Sequence, residues 1–317
     1  MQNELITIGI PVYNMESSIK NAINSCLSQT YDNFEILIVN DGSSDNSMQV
    51  IKDNYDNELK SGKIRIYERP QNGGVCMAMR DLVDHANGVY IAFLDADDTM
   101  MPTRIEKQYN AIKQAEIEHK NQMVACFCGS LVNDINDGTQ YNLDPNNLFM
   151  FDAKIGFGGG TGHSMYKVSD LKKMGNFNPE VLRSVDAAMC LTMLINGCYY
   201  AMINEPLIQY NFVWDDYKAE IAKKDSDSIR KLFLKKYDLK FIKKLKNIYL
   251  NRYFGIEVTT YITLFGIKII RILKKQTSCS YYLFNFLPIF KKKHKIKKKM
   301  IKYYLFCILP FWFKKVD

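Results

Sequence analysis

The chain has 317 residues, of which 47% are hydrophobic and 24% charged, so it can bury a sizeable core and wholesale disorder is excluded. Its eight cysteines include no Cys-x-x-Cys pair and its four histidines are not spaced as zinc ligands, so a reduced, cytosolic chain is expected. The first residues carry neither a basic segment nor a long apolar run, and we expect no signal peptide.

Residues 1–217 alternate strand-like and helix-like segments. Short runs of β-branched and aromatic residues predict strands at 6–10, 34–39, 64–67, 90–94 and 123–128. Apolar residues at helical spacing predict helices over 19–27, 75–86 and 103–119. This alternation predicts an α/β fold whose mostly parallel sheet is covered by helices on both faces.

Charge divides the chain into two parts. Residues 1–217 carry 16 basic and 28 acidic side chains, a net charge of −12. Residues 218–317 carry 26 basic and 6 acidic side chains, a net charge of +20. This asymmetry predicts an acidic body over 1–217 and a basic appendage over 218–317 that face different partners.

Three polar clusters directly follow predicted strands, at 40–45, 72–74 and 95–98. In sheets of this kind, ligands bind at the carboxyl ends of the strands. We therefore expect the three clusters to gather at one edge of the sheet.

The segment Asp95-Ala96-Asp97-Asp98 is the richest of these clusters chemically. Its three carboxylates repel one another unless a cation or protons compensate them. Asp95 and Asp97 can converge on one hard cation that keeps positions open for phosphate oxygens, as Mg²⁺ prefers. The same residues also fit a turn whose aspartates cap the next helix, and spacing alone leaves both interpretations open.

A phosphatase is the alternative chemistry for this segment. Residues 95–99 fit the D-x-D-x-T motif of haloacid-dehalogenase-type phosphatases, in which Asp95 would attack phosphorus and Asp97 would act as acid and base. That fold normally opens with this strand and needs a later Gly-Asp pair for Mg²⁺. Here about ninety residues come first, and no Gly-Asp dipeptide follows.

Five blocks in a fixed order carry a family resemblance. They are IGIPVYNME at 8–16, SQTY at 28–31, VNDGSSD at 39–45, NGGV at 72–75 and YIAFLDADD at 90–98. Together they strongly resemble the family 2 glycosyltransferases of the GT-A fold, over about residues 5–215. The resemblance implies a Rossmann-like catalytic domain, a nucleotide-sugar donor that is usually UDP-linked, Mg²⁺ or Mn²⁺, and inversion at the anomeric carbon.

The resemblance also implies roles for individual donor-side residues. Asp41 matches the residue that hydrogen-bonds the uracil ring, with an Asx turn as the alternative. Asp95 matches the acid near the ribose and metal, and Asp97 matches the acid that ligates the metal bridging the diphosphate. The other residues implied on the donor side are Pro11, Tyr13, Glu16, Asn72, Gly73, Arg80 and Ala96.

The general base of the family follows a Gly-rich segment and an "iGgF" element, for which this chain has 156–162 and 174–177. Asp186 matches that base, although Val185 replaces a frequent Glu and Asp186 can instead cap the helix at 187–195. A base here takes the acceptor hydroxyl proton while the metal neutralises the leaving diphosphate. The residues implied on the acceptor or sugar side are Gly159, Gly160, His163 and Trp214.

Several positions depart from the family pattern. Met79 stands where an Arg is usual, and Arg80 would point about 100° further round the helix, which weakens a diphosphate role for it. Asn211 occupies the Arg position of the family's Tyr-Arg-x-His element, so charge compensation falls more heavily on the metal. An inactive, donor-binding or scaffolding homologue therefore stays open. No Gln-x-x-Arg-Trp motif occurs, which favours transfer of one sugar per acceptor over processive synthesis.

The basic appendage has the composition of a membrane-surface segment. Apolar residues at helical spacing over 229–249 predict an amphipathic basic helix, and a mainly helical region is expected. Beyond it, apolar blocks of ten or eleven residues repeat with an offset of 22 residues and are flanked by lysines. Each block is too short to cross a bilayer, which needs about twenty residues. Aromatic blocks with lysines suit an anionic lipid surface. The alternatives are that the appendage binds nucleic acid, or that it packs on the body or on a second copy of the chain.

These features together predict an inverting, metal-dependent glycosyltransferase that lies peripherally on the cytoplasmic face of the cell membrane. It would move one sugar from a nucleotide donor to a lipid-linked oligosaccharide or envelope glycan, as in bacterial envelope assembly, and would not bind nucleic acid.

Overall fold

A computed structural model describes residues 3–143, 161–181 and 185–212 of the body, and strand segments between residues 256 and 313 of the tail. The chain divides into two compact units, Met1–Leu245 and Lys246–Asp317. The predicted boundary at residue 217 falls in the stretch 213–255, outside the described residues, and stays a prediction.

The described residues of the first unit form a nine-stranded sheet with helices around it. The strands are β1 (Ile6–Val12), β2 (Phe34–Asn40), β3 (Ile64–Glu68), β4 (Tyr90–Phe93), β5 (Thr99–Met100), β6 (Val124–Asp134), β7 (Gln140–Leu143), β8 (Ser164–Lys167) and β9 (Tyr199–Phe212). The helices are α1 (Ile19–Leu27), α2 (Ser47–Asn54), α3 (Asp56–Ser61), α4 (Val75–His85), α5 (Arg104–Glu118), α6 (Val168–Lys173) and α7 (Val185–Ile195), and a 3₁₀ turn spans Thr161–His163.

The strand order is β3-β2-β1-β4-β8-β6-β9-β5, with β7 paired to β6. β3, β2, β1 and β4 run parallel to one another, and β6 and β9 are also parallel. β8 is antiparallel to both of its neighbours. The predicted α/β fold is confirmed. Because β1, β2 and β4 are adjacent and parallel, the loops that follow them lie at one edge of the sheet.

The sheet is buried on both faces. Ile8 and Ile10 of β1 are fully buried in one cluster with Ile23 of α1. On the other face α4 approaches so closely that a Cβ at Gly9 would lie 3.3 Å from the Leu82 side chain. Each buried aliphatic side chain contributes on the order of 1.5–3 kcal/mol, so packing on both faces holds β1 in place.

A buried polar pair lies beneath the carboxyl edge of the sheet. Arg104 is fully buried, and its guanidinium donates to Phe93 O at 2.9 Å and to Gln108 Oε1 at 3.0 Å. The Gln108 amide donates to His163 O at 3.0 Å and to Cys126 O at 3.3 Å. These bonds tie β4, β6 and the 3₁₀ turn together. Losing one of them would be costly, since a buried polar group left without a partner costs about 1–3 kcal/mol.

The predicted strands and helices of the body are confirmed, with differences in extent. The predicted strand at 123–128 continues as β6 to Asp134, because both β7 and β9 pair with its second half. Strand β8 is short and has no alternating pattern that would have predicted it; its place is set by pairing with β4 and β6.

The described tail segments are strands. β10 (Ile256–Leu264), β11 (Ile267–Lys275), β12 (Ser278–Leu283) and β13 (Leu287–Lys293) form an antiparallel sheet, and β14 (Ile301–Leu305) pairs with β15 (Leu309–Phe313). The prediction of a mainly helical tail is wrong for these segments, because their many β-branched and aromatic residues favour extended backbone. The predicted helix over 229–249 lies outside the described residues.

The 22-residue repeat corresponds to two hairpins with the same inner register. Leu283 pairs with Leu287 in the first hairpin, and Leu305 pairs with Leu309 in the second. In the parts of the chain that the structure describes, no helix is both long enough and apolar enough to span a membrane.

Candidate active site

The loops after β1 and β2 are joined by hydrogen bonds. Asn14 adopts a left-handed conformation with φ of 56°, and its Oδ1 accepts from Ser44 N at 2.8 Å. Glu16 N donates to Asp45 Oδ2 at 3.0 Å, and Asn46 N donates back to Glu16 Oε2 at 3.0 Å. Glu16 is thus engaged in holding these two loops together, and Tyr13, on the same loop, is exposed.

Asp41 lies buried where the 40–45 and 72–74 clusters meet. Its carboxylate accepts from Arg69 Nη1 at 2.6 Å, from Gly73 N at 2.9 Å and from Gly74 N at 2.8 Å. The two loops touch at Gly42, where a Cβ would lie only 2.8 Å from Asn72 N and φ is +72°. These two polar clusters therefore meet at the sheet edge, as predicted.

Arg69 is a site residue that the sequence analysis missed. Besides Asp41 it contacts Asp81 of α4 through Nε at 2.8 Å, so it joins the end of β3 to that helix. Arg69 directly follows β3. A basic residue at the end of a strand, on the edge where the acidic clusters gather, is the feature of the sequence that could have identified it.

The acid turn, which we define as residues 95–98, follows β4 at the same edge. Asp98 N donates to Asp95 O at 3.1 Å and closes the turn. The Asp98 side chain is 1% exposed; its Oδ1 accepts from Asn211 N at 2.9 Å, and its Oδ2 accepts no hydrogen bond from any residue that the structure describes. Asp97 is exposed, Asp95 is half-buried, and Ala96 is buried beneath them. The capping alternative does not account for Asp98, whose side chain bonds to β9.

Asp186 lies in the first turn of α7, where the partial positive charge of the helix favours a carboxylate. Its Oδ1 accepts from Thr161 N at 2.6 Å and also from Thr161 Oγ1. The next residue of the 3₁₀ turn packs against the acid turn, since a Cβ at Gly162 would lie 2.7 Å from Asp95 Oδ2. The fold thus brings Asp186 and Asp95, 91 residues apart in the sequence, to one place.

Crowding of carboxylates perturbs their protonation. Burial and the charge of Asp97 raise the pKa of Asp95 to about 6. Burial and the charge of Asp95 raise the pKa of Asp186 to about 7. Burial, and then Asp95, raise the pKa of Asp98 to about 9, and the buried Arg104 opposes the shifts at Asp95 and Asp98 only in part. Burial and the neighbouring acids together therefore disfavour negative charge on these carboxylates unless a positive group compensates it.

This donor set fits a divalent cation that is shared with substrate. Its ligands are carboxylate oxygens, which Mg²⁺ and Mn²⁺ accept. Within residues 3–143, 161–181 and 185–212, no three such side chains are arranged to enclose an ion. Mg²⁺ commonly binds through one or two carboxylates and takes its other ligands from phosphate and water, which matches an exposed Asp97 beside Asp95.

The remaining predicted residues lie in several parts of the site. Pro11 is half-buried in β1, just before the buried Val12, and Asn72 closes its own loop by accepting from Gly74 N at 3.1 Å. His163 is buried, with its ring 5.7 Å from that of Tyr210, whose pKa is raised by burial and by the nearby acids. Gly159, Gly160 and Trp214 lie outside the described residues.

Arg80 is engaged elsewhere. Its Nη1 donates to Phe177 O at 2.9 Å and to Gly175 O at 3.3 Å, so this guanidinium ties α4 to the loop after α6. Met79, at the usual Arg position, is buried in the core. The structure thus gives Arg80 a packing role, and its assignment to the donor stays a prediction.

Comparisons with known proteins identify the family. The model of the family described as Glycosyl transferase family 2 matches residues 7–165. An uncharacterized glycosyltransferase of Haemophilus influenzae is 38% identical over 114 residues, which cover 36% of this chain and 44% of that protein. A chondroitin synthase of Pasteurella multocida is 40% identical over 102 residues, which cover 32% of this chain and 10% of that protein.

The matched segments span less than half the length of these curated relatives. In fold, the chain is similar to TarS of S. aureus in complex with UDP-GlcNAc, with a TM-score of 0.59 and 16% identity, over 80% of this chain and 73% of that one. The GT-A fold expected from the five blocks is confirmed, and the phosphatase alternative loses its support. The chain belongs to the family 2 glycosyltransferases.

Proposed function

We propose that this protein transfers a single sugar from a UDP-sugar to a glycan hydroxyl, with inversion at the anomeric carbon. The observation that supports the proposal is that Asp186 and the acid turn meet at the 3₁₀ turn, so that Asp95 and Asp97 would serve as metal ligands beside Asp186 as base. The fold relative TarS was crystallised with UDP and with UDP-GlcNAc, which supports a UDP-linked donor.

On the donor side, the loops after β1 and β2 form the nucleotide site. Asp41 holds Gly73 and Gly74 through their N–H groups and carries a carboxylate for the uracil ring. Asp95 and Asp97 would hold Mg²⁺ or Mn²⁺, which when bound supplies positive charge to the leaving diphosphate.

On the acceptor side, Asp186 is the proposed base. The acceptor hydroxyl oxygen forms a bond to the anomeric carbon while the bond from that carbon to the phosphate oxygen breaks and UDP leaves. The hydroxyl proton passes to the Asp186 carboxylate. A pKa raised to about 7 suits this role, because a base is most effective when its pKa lies near the working pH. Thr161 holds the carboxylate in place through two hydrogen bonds.

The substitution Asp186→Asn tests this assignment. The side-chain oxygen of the amide can still accept from Thr161 N, so we expect the fold and UDP binding to be kept. With water as the acceptor whose proton the base takes, release of UDP from a panel of UDP-sugars with Mn²⁺ should fall by about 10²–10⁴-fold, the usual contribution of a general base. The exposed Asp56→Asn serves as control. Equal rates in wild type and Asp186→Asn would refute the base assignment, and a wild type that releases no UDP from any donor while binding UDP would favour the donor-binding alternative.

For the tail, we propose attachment to the inner face of the cell membrane and a lipid-linked or envelope glycan as acceptor. The support is the net charge of +20 over residues 218–317 and the aromatic, lysine-flanked hairpins β12–β13 and β14–β15. Each lysine near an anionic surface adds about 1 kcal/mol of attraction before salt screens it.

Flotation of the full chain with vesicles tests the membrane proposal. We expect co-flotation with vesicles that contain phosphatidylserine, a weaker interaction at 1 M NaCl, and little with purely zwitterionic vesicles. Failure to float with the anionic vesicles at low salt would refute it, whatever the outcome for Asp186.

A further inference from the structure

We propose that three amide side chains, Gln140, Asn133 and Asn211, form a ladder across β7, β6 and β9 that positions the acid turn for metal and donor binding. The proposal rests on the function proposed above, since it concerns the same carboxylates. It assigns Asn211 and Asn133 as positioning residues, which act through the acid turn rather than on the substrate.

The strand register makes the ladder. Asn133 pairs with Gln140 of β7 on one side and with Asn211 of β9 on the other. Neighbouring strands of a sheet lie about 4.7–4.9 Å apart, so paired amides on one face are within reach of one hydrogen bond. The Gln140 amide donates to Asn133 Oδ1 at 2.8 Å, and Asn133 Nδ2 donates to Asn211 Oδ1 at 3.0 Å.

The ladder ends on the acid turn. Asn211 Nδ2 donates to Asp97 O at 2.6 Å, and Asn211 N donates to Asp98 Oδ1 at 2.9 Å. One residue therefore binds both the backbone and a side chain of the turn. Since the Asp97 carboxylate is exposed, the position of its backbone decides where that carboxylate stands.

The acid turn needs such support because its charges repel one another. Without a cation, the negative charges of Asp95 and Asp97 repel each other and favour an opened turn, and each donor from Asn211 opposes this. Hydrogen bonds in a chain polarise one another, so the Asn133 and Gln140 amides strengthen the donor at the end of the ladder. The neutral amide at 211, where the family often has an arginine, thus fixes the shape of the turn without adding charge.

The experiment compares Asn211→Ala, Asn133→Ala and the double variant in the full chain. Asn142→Ala is the matched control, because Asn142 is an exposed amide on β7 that pairs with Leu131 outside the ladder. The readouts are the Mn²⁺ affinity in the presence of UDP, from electron paramagnetic resonance, and the UDP affinity at saturating Mn²⁺, from calorimetry. We expect about 10-fold weaker Mn²⁺ binding in both single variants, as for other groups that orient metal ligands. Asn142→Ala should bind like wild type.

The double variant separates positioning from general loss of stability. Asn133 reaches the turn only through Asn211 in the ladder, so the double variant should bind Mn²⁺ no more weakly than Asn211→Ala alone. Additive losses, or unchanged affinities in both single variants, would overturn the ladder. If Asn211→Ala does not fold, Asn133→Ala alone decides, since it lies one strand further from the turn. A wild type that binds no UDP with Mn²⁺ would overturn the proposed function and the ladder together; binding by wild type and equally by the variants would overturn the ladder only.

Discussion

Replacing Asp98 by asparagine should stabilise the protein when no metal ion is present. Asp98 is almost fully buried, and its Oδ2 lacks a hydrogen bond from the described residues. Its pKa is raised from an ordinary 3.8 to about 9, first by burial and then by Asp95. Because the folded pKa lies above the unfolded pKa, stability from this group is complete below about pH 4 and is lost as the pH rises toward 9.

The size of the effect follows from the shift. One pKa unit corresponds to about 1.4 kcal/mol, so at pH 7 the folded state loses up to about 4 kcal/mol relative to the unfolded state. Part of this shift comes from the charge of Asp95, which itself titrates near pH 6. We therefore expect Asp98→Asn to raise the free energy of unfolding by about 2–4 kcal/mol at pH 7, with the bond from Asn211 N kept by the amide oxygen.

The assay is urea unfolding at pH 4.5, 6, 7 and 8 in the presence of a chelator. The difference between Asp98→Asn and wild type should be small at pH 4.5 and should grow as the pH rises. The exposed Asp53→Asn provides the matched control and should show no such trend. A difference that is absent at pH 7, or equal at all four values, would refute the reasoning that the acid turn opposes folding.

Two further predictions concern buried carboxylates outside the acid turn. Burial alone would raise the pKa of Glu35, but hydrogen bonds from Thr7, Asn87 and Arg65 hold it below its ordinary value. The stability that ionised Glu35 contributes is therefore present above about pH 4.5 and is lost as the pH falls through the lower folded pKa. In urea unfolding, Glu35→Gln should lower the free energy of unfolding by about 1.5–3 kcal/mol at pH 7 and by less near pH 3. An equal loss at both pH values would contradict this. Asp41→Asn leaves Arg69 with Asp81 as its remaining ion-pair partner among the described residues, and should lower the free energy of unfolding by about 3 kcal/mol. It should also weaken UDP binding measured by calorimetry, and an unchanged UDP affinity would argue against a donor-side role for Asp41.

Much of the fold was predictable because local pattern and global packing agree in the first hundred residues. Strands such as β1 and β2 are short, continuous apolar runs bounded by turn residues, which is what a sheet buried on both faces requires. The polar clusters follow these strands directly, so their meeting at Gly42 and Asn72 followed from topology alone.

Other features were not predictable because they depend on contacts between residues distant in sequence. Arg104 looks like an ordinary residue at the start of an amphipathic helix, yet it is fully buried and bonds to β4. Asn211 looked like the loss of a cation, and its bonds to the acid turn arise only from the register of β9. In the tail, apolar residues at helical spacing over 229–249 predicted helix, and that stretch lies outside the described residues. The segments described from residue 256 on are strands, in line with the preference of their β-branched and aromatic residues.

The acid turn is therefore a part of the fold that works against stability and is held by its neighbours. Arg104 and Gln108 fix the backbone beneath it, and Asn211 fixes it from the side. A group that neutralises these carboxylates in the folded state favours that state over the unfolded one, because it offsets part of what their burial and mutual repulsion cost. The proposed divalent cation and UDP would do this, so ligand binding and folding would be linked through these acids. A variant such as Asp98→Asn, which removes one of these acids, should therefore have a higher free energy of unfolding without ligand. The further increase that the ligand produces should be smaller in this variant than in wild type.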